Sequence, residues 1–114
     1  MTMEFTFDTE KVEAAGYTLE SIYNAMKENF KKRNLKCVSD GEFLSFSGTG
    51  HSDDYGNMLV LVKRLSSEDW FMNTAKSWFF EYGNTYEDVL KDIKNKISKG
   101  RVNMASKSES NAMV

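Results

Sequence analysis

The spacing of apolar residues changes period along this chain, and that change restricts it to folds that mix sheet and helix. Met3-Glu4-Phe5-Thr6-Phe7-Asp8 alternates with period two, the pattern of a strand with Met3, Phe5 and Phe7 on one face. After a connection over residues 9–17, broken at Gly16, the period becomes helical. Leu19, Ile22, Tyr23, Met26 and Phe30 line one face, behind Thr18 as N-cap. Lys31-Lys32-Arg33 in the last turn complement the helix dipole, and Asn34 ends the helix.

Two short β-prone runs, Leu35 to Ser39 and Glu42 to Ser47, flank Asp40-Gly41. That dipeptide predicts a hairpin through a type I′ turn, whose two central residues need positive φ. Met58 to Val62 fits either a buried strand or a helix. Tyr55, Met58, Leu59, Val62 and Leu65 keep helical spacing, Ser52 is a suitable cap, and Asp53-Asp54 and Lys63-Arg64 suit the dipole, so helix is preferred. Ser66 to Asp69 reads as a turn. A strand is expected within Trp70 to Tyr82, marked best over Ala75 to Tyr82, with Trp78, Phe80 and Tyr82 on one face and Ala75, Ser77 and Phe79 on the other. Gly83-Asn84 breaks it, and Thr85 caps a last helix carrying Tyr86, Val89, Leu90, Ile93 and Ile97. The predicted fold is α+β: a ferredoxin-like βαββαβ two-layer sandwich with an extra C-terminal helix, over residues 1–99. The alternative is a β-α-β-β-β-β-α antiparallel sheet. Residues 100–114, rich in Ser, Asn and Ala, read as a disordered polar tail.

Composition excludes several function classes. A net charge of −2 argues against a sequence-independent nucleic-acid binder. No apolar run is long enough to span a membrane. The first ten residues lack a basic start followed by an apolar stretch, so no signal peptide is expected. With Cys37 as the only cysteine, an internal disulfide and a four-thiolate zinc site are ruled out, and a cytoplasmic setting is expected. In a strand, Cys37 is expected to be a small buried hydrophobe.

Three groups of residues are candidates for binding. The first is aromatic: Trp70, Trp78, Phe80 and Tyr82, which form either core or a protein-binding patch, depending on whether the second sheet face is covered. The second is the basic cluster Lys27, Lys31, Lys32, Arg33 and Lys36, a solvated helix end or a local nucleic-acid contact. The third is the loop Gly48, Gly50, His51, Asp53 and Asp54. Its glycines suggest an anion cradle at a helix N-terminus, but two aspartates stand where a phosphate would sit, and neither a Walker nor a dinucleotide pattern is met. His51, Asp53 and Asp54 are also an N/O metal-ligand set, although no second histidine exists to complete a zinc site. No catalytic constellation is recognisable, and no cofactor or metal is expected.

Phe46-Ser-Gly-Thr-Gly-His-Ser-Asp-Asp-Tyr-Gly-Asn57 and Glu68-Asp-Trp-Phe-Met72 resemble segments of small uncharacterised proteins from Firmicutes, some associated with mobile elements. The resemblance implies a bacterial origin and an accessory role, and carries over no functional residue. The expected function is a non-catalytic protein-interaction module whose partner is another protein or a second copy. A nucleic-acid-binding accessory factor and a ligand- or metal-binding loop at 48–54 are the alternatives.

Overall fold

A computed structural model describes residues 1–108, with side chains described through residue 98. Five strands form one antiparallel sheet in the order β2-β3-β1-β4-β5. They are β1 (Thr2–Phe7), β2 (Lys36–Asp40), β3 (Leu44–Ser47), β4 (Ala75–Tyr82) and β5 (Thr85–Asp88). The helices are α1 (Thr9–Ala14), α2 (Leu19–Lys31), α3 (Asp54–Ser66), α4 (Asp69–Met72) and α5 (Val89–Ser108).

The α+β class is thus observed, while the strand order differs from a four-stranded sheet. The added strand is β5, where the sequence suggested a helix capped by Thr85. Gly83 takes φ +56° in a two-residue connection, and Tyr82 pairs directly with Thr85. A glycine of positive φ opening a two-residue loop is a hairpin device. The helix starts four residues later, where the Asp88 carboxylate accepts the Lys91 N–H at 3.1 Å. Two short helices also stand where other structure was expected, α1 in the connection and α4 at the end of the expected turn and the start of the expected strand segment. In α1, Asp8 caps the N-terminus by accepting from the N–H groups of Glu10 and Lys11. In α4, the following Thr74 hydroxyl donates to the Trp70 carbonyl at 2.6 Å.

Helix α2 begins and ends as its sequence indicates. Thr18 and Ser21 exchange hydrogen bonds at the start. At the end Asn34 sits at φ 60°, Leu35 N–H donates to Phe30 C=O and Asn34 N–H to Lys31 C=O, the paired bonds of a Schellman motif. Residues 58–64 are helical, within α3, which removes the alternative with an extra strand there. The β2–β3 hairpin forms, but Asp40 pairs with Leu44 across a three-residue loop, and Gly41 does not have positive φ. The type I′ turn is therefore absent. Cys37 is exposed rather than buried: it stands opposite Phe46 on the core side of the sheet, but β2 is an edge strand. Helix α5 runs on through 100–108, past the point where a tail was expected; 109–114 lie outside the described residues.

All five helices bury side chains against the same sheet face. Met3, Phe5 and Phe7 of β1 meet Val12 of α1, Ile22, Met26 and Phe30 of α2, Met58, Leu61 and Leu65 of α3, Phe71 of α4 and Val89 and Leu90 of α5. Phe5 is the hub. Its ring lies 5.8 Å from Phe30, 6.2 Å from Phe46, 5.8 Å from Phe71 and 5.6 Å from Trp78, three contacts edge-on and one stacked. A register shift between Thr6 and Phe7 sets Ala75 opposite Phe7, so Ala75 joins the core face instead of the face of Ser77 and Phe79. The other face is mostly polar, with Thr2, Glu4, Ser45, Ser77 and Glu81, and carries one stacked ring pair, Phe79 on Tyr86 at 5.1 Å.

Replacing Phe5 by Ala removes the ring on which four others converge, and about 3–5 kcal/mol of stability is expected to be lost. Replacing Phe79, on the polar face, should cost clearly less. Urea unfolding of both variants, followed by circular dichroism, measures the difference.

Candidate functional site

The glycine-rich loop is a closed hydrogen-bonded turn. Asp54, the first residue of α3, is buried, and its carboxylate accepts from Gly50 N–H at 2.8 Å and His51 N–H at 3.1 Å. The Thr49 hydroxyl lies 3.5 Å from the same group. Gly50 takes φ +89° to bring its N–H round. Gly48 is required for room: a Cβ there would stand 2.7 Å from Asp54 Cγ. The donors of the suspected anion cradle are therefore taken by the chain's own carboxylate. His51 and Asp53 face solvent, away from Asp54. The Asp53 N–H donates to His51 Nδ1 at 3.1 Å, and Asp53 Oδ2 lies 3.5 Å from the same nitrogen. Among the described residues no three His, Cys, Asp or Glu side chains gather in a metal-binding group.

The aromatic candidates separate. Trp78 and Phe80 belong to the core, at 0% and 1% exposure, so they are unavailable as a surface. The sheet face they occupy is the one the helices cover. The Trp78 indole N–H is buried without a hydrogen-bond partner. Tyr82 is half-buried and packs against Tyr55 of α3 at 5.4 Å. Trp70 stays at the surface in part. Its indole N–H donates to Glu68 Oε2 at 2.7 Å, and its ring walls a groove of about 260 Å³ with Tyr17, Ser21, Ile22 and Ala25. Tyr17, 42% exposed, had no sequence signal beyond its position beside Gly16 and Thr18.

The basic cluster is split as well. Lys27 is tied to Asp40 at 2.8 Å across to β2, and this hydrogen bond holds the Asp40 carboxyl below its ordinary value. Lys36 lies on the edge strand β2 opposite Ser47, on the polar sheet side, and Lys31 is exposed on α2. Lys32 and Arg33 stay together and gain a neighbour from α3, Arg64, around a pocket of about 320 Å³. Arg64 is more than thirty positions away in the chain, so only the packing of α3 on α2 reveals it.

A further titratable group lies at the β5–α5 junction. Glu87 accepts from the Tyr82 hydroxyl at 3.3 Å. Burial, and then the shared hydrogen bond with Asp92, raise the Glu87 carboxyl above its ordinary value. Burial, and then the charge of Glu87, raise the Tyr82 phenol. No protein-family model matches the chain, and neither a curated protein nor a solved structure shows significant similarity to it.

Gly48→Ala and Asp54→Ala are each expected to destabilise by about 1–3 kcal/mol, through crowding and through two stranded N–H donors. Because the alanine at 48 collides chiefly with the carboxylate, and only the Asp54 Cβ at 3.0 Å remains close once that group is removed, the double variant should lose less than the sum, with a coupling of about 0.5–3 kcal/mol in a thermodynamic cycle. At the junction, a raised folded-state pKa favours the protonated form. The Glu87 contribution to stability is therefore present at low pH and lost as pH rises through the raised value. Glu87→Gln should raise the melting temperature at pH 7, with the gain fading as pH falls below the ordinary carboxylate range.

Proposed function

We propose that this chain is a non-catalytic protein-interaction module, a small bacterial accessory protein that receives an apolar side chain of a partner protein in the groove between α2 and α4. One observation carries the reading: Tyr17 and Trp70 line the same open groove, whose floor is Ile22 and Ala25. Tyrosine and tryptophan supply large contact area for little lost rotamer freedom, and they dominate interface energetics. Here each offers an apolar body with a polar end, the Trp70 end already held by Glu68. The loop at 48–54 is less suited to a ligand, because its donors are engaged by Asp54.

Two further elements belong to this proposal. The ring β1, α2, β2, β3, α3, β4 is read as an elaborated ferredoxin-like arrangement, with α1, α4, β5 and α5 as additions; the antiparallel pairing of β1 with both β3 and β4 supports it. The setting is read as cytoplasmic, supported by the exposed free thiol of Cys37 and by the absence, among the described residues, of a helix long and apolar enough to cross a membrane.

The test uses the full chain as bait in its host, with Trp70→Ala, Tyr17→Ala and a Tyr86→Ala control on the far sheet face. A partner held by the wild type and by Tyr86→Ala should be weakened by about tenfold or more by Trp70→Ala, since hot-spot truncations cost at least about 2 kcal/mol. Sedimentation identifies a second copy as the occupant. Equal binding by all four proteins removes the groove from the function.

A further inference from the structure

The pocket between the last turn of α2 and the C-terminal half of α3 has the makings of an anion site. It is lined by Asn29, Lys32, Arg33, Leu61 and Arg64, with the buried Leu61 among its walls. Its volume of about 320 Å³ is at the small end of ligand pockets, which run from about 300 to 1,000 Å³. Three of the five lining side chains are cations and none is an acid. Among the described residues, none of the three has a carboxylate within 4.0 Å.

The guanidinium is also oriented in advance. The Asn29 amide donates to the Ala25 carbonyl at 2.8 Å, which turns its Oδ1 outward. That oxygen accepts Arg64 Nε–H at 2.8 Å. With Nε held, the two Nη groups of Arg64 have no hydrogen-bond partner among the described residues. A fixed guanidinium with free Nη donors recognises two oxygens at once.

We propose that this pocket binds a phosphomonoester dianion, gripped through two oxygens by Arg64 and neutralised by Lys32 and Arg33. Three positive charges match a dianion better than a carboxylate, and a tetrahedral group offers an oxygen to each cation where a carboxylate offers two in all. No ring lines the pocket, so nothing there stacks on a nucleobase. The site is separate from the groove of Tyr17 and Trp70, and its failure would leave that reading untouched.

The experiment is a ¹H–¹⁵N titration of the full chain with glycerol 3-phosphate, a phosphoserine peptide and dimethyl phosphate, the last a diester carrying one charge. Saturable shifts are expected at Arg64 Nε–H and at the Lys32 and Arg33 amides, with either monoester at least tenfold tighter than the diester. Arg64→Gln should weaken monoester binding by about tenfold, which is about 1.4 kcal/mol, and Arg64→Lys by less, as charge survives but the fork does not. Tighter binding of glycerol 3-phosphate identifies a free metabolite as the source; tighter binding of the peptide identifies a phosphorylated protein segment. Absence of saturable shifts at about 10 mM monoester, a diester bound as well as the monoesters, or displacement of both monoesters by duplex DNA overturns the proposal.

Discussion

Phe5 stands in the middle strand of the sheet, and its ring touches one aromatic ring from each of α2, β3, α4 and β4. Edge-to-face contacts depend on angle as well as distance, so a ring met from four directions leaves little freedom in how the helices lie over the sheet. Phe30 adds to this by stacking on Phe46 at 3.9 Å, fixing α2 against β3. The consequence is that open ground lies at the seams between helices. Both the Trp70 groove and the Arg64 pocket are such seams, one at each end of α2.

The loop before α3 illustrates how a binding pattern can be satisfied from within. Glycines ahead of a helix free backbone N–H groups, and an anion is drawn to them. In this chain the anion is Asp54, one covalent turn away, and Gly48 keeps the space it needs. The geometry that would cradle a phosphate elsewhere here anchors the start of a helix to the end of β3.

Much of the fold was legible because local signals agreed with one another. Cap, period and dipole all marked α2; period and dipole marked α3, although its N-cap is Asp53 rather than Ser52 and makes no side-chain capping bond. The strand Ala75–Tyr82 falls where its alternation is clearest within the expected segment 70–82, whose first residues form α4 instead. The misread segment was Thr85-Tyr86-Glu87-Asp88, because a threonine followed by acids suits a helix start as well as it suits the second arm of a hairpin. Only the conformation of Gly83 separates the two. For the sites, periodicity put Trp78 and Phe80 on one face but could not tell which face the helices cover. Long-range proximity was invisible: nothing in the sequence links Arg64 to Asn29, or Tyr17 to Trp70.

The middle position of β1 also governs how the chain reaches its fold. Its neighbours are β3 and β4, and the hydroxyls that join Thr6 to Ser77 at 2.6 Å belong to residues 71 positions apart. During vectorial synthesis one neighbour of β1 follows at Leu44–Ser47 but the other only at Ala75–Tyr82, so one pairing edge of β1 stays open until then. Helix α2 can form meanwhile and shield the apolar face of Met3, Phe5 and Phe7, whereas closing the sheet needs the whole intervening chain, and folding is slower the more a fold depends on such non-local contacts. A nascent chain stalled before residue 75 would leave one pairing edge of β1 open, and that is where association with a folding helper, or with another nascent copy, would begin.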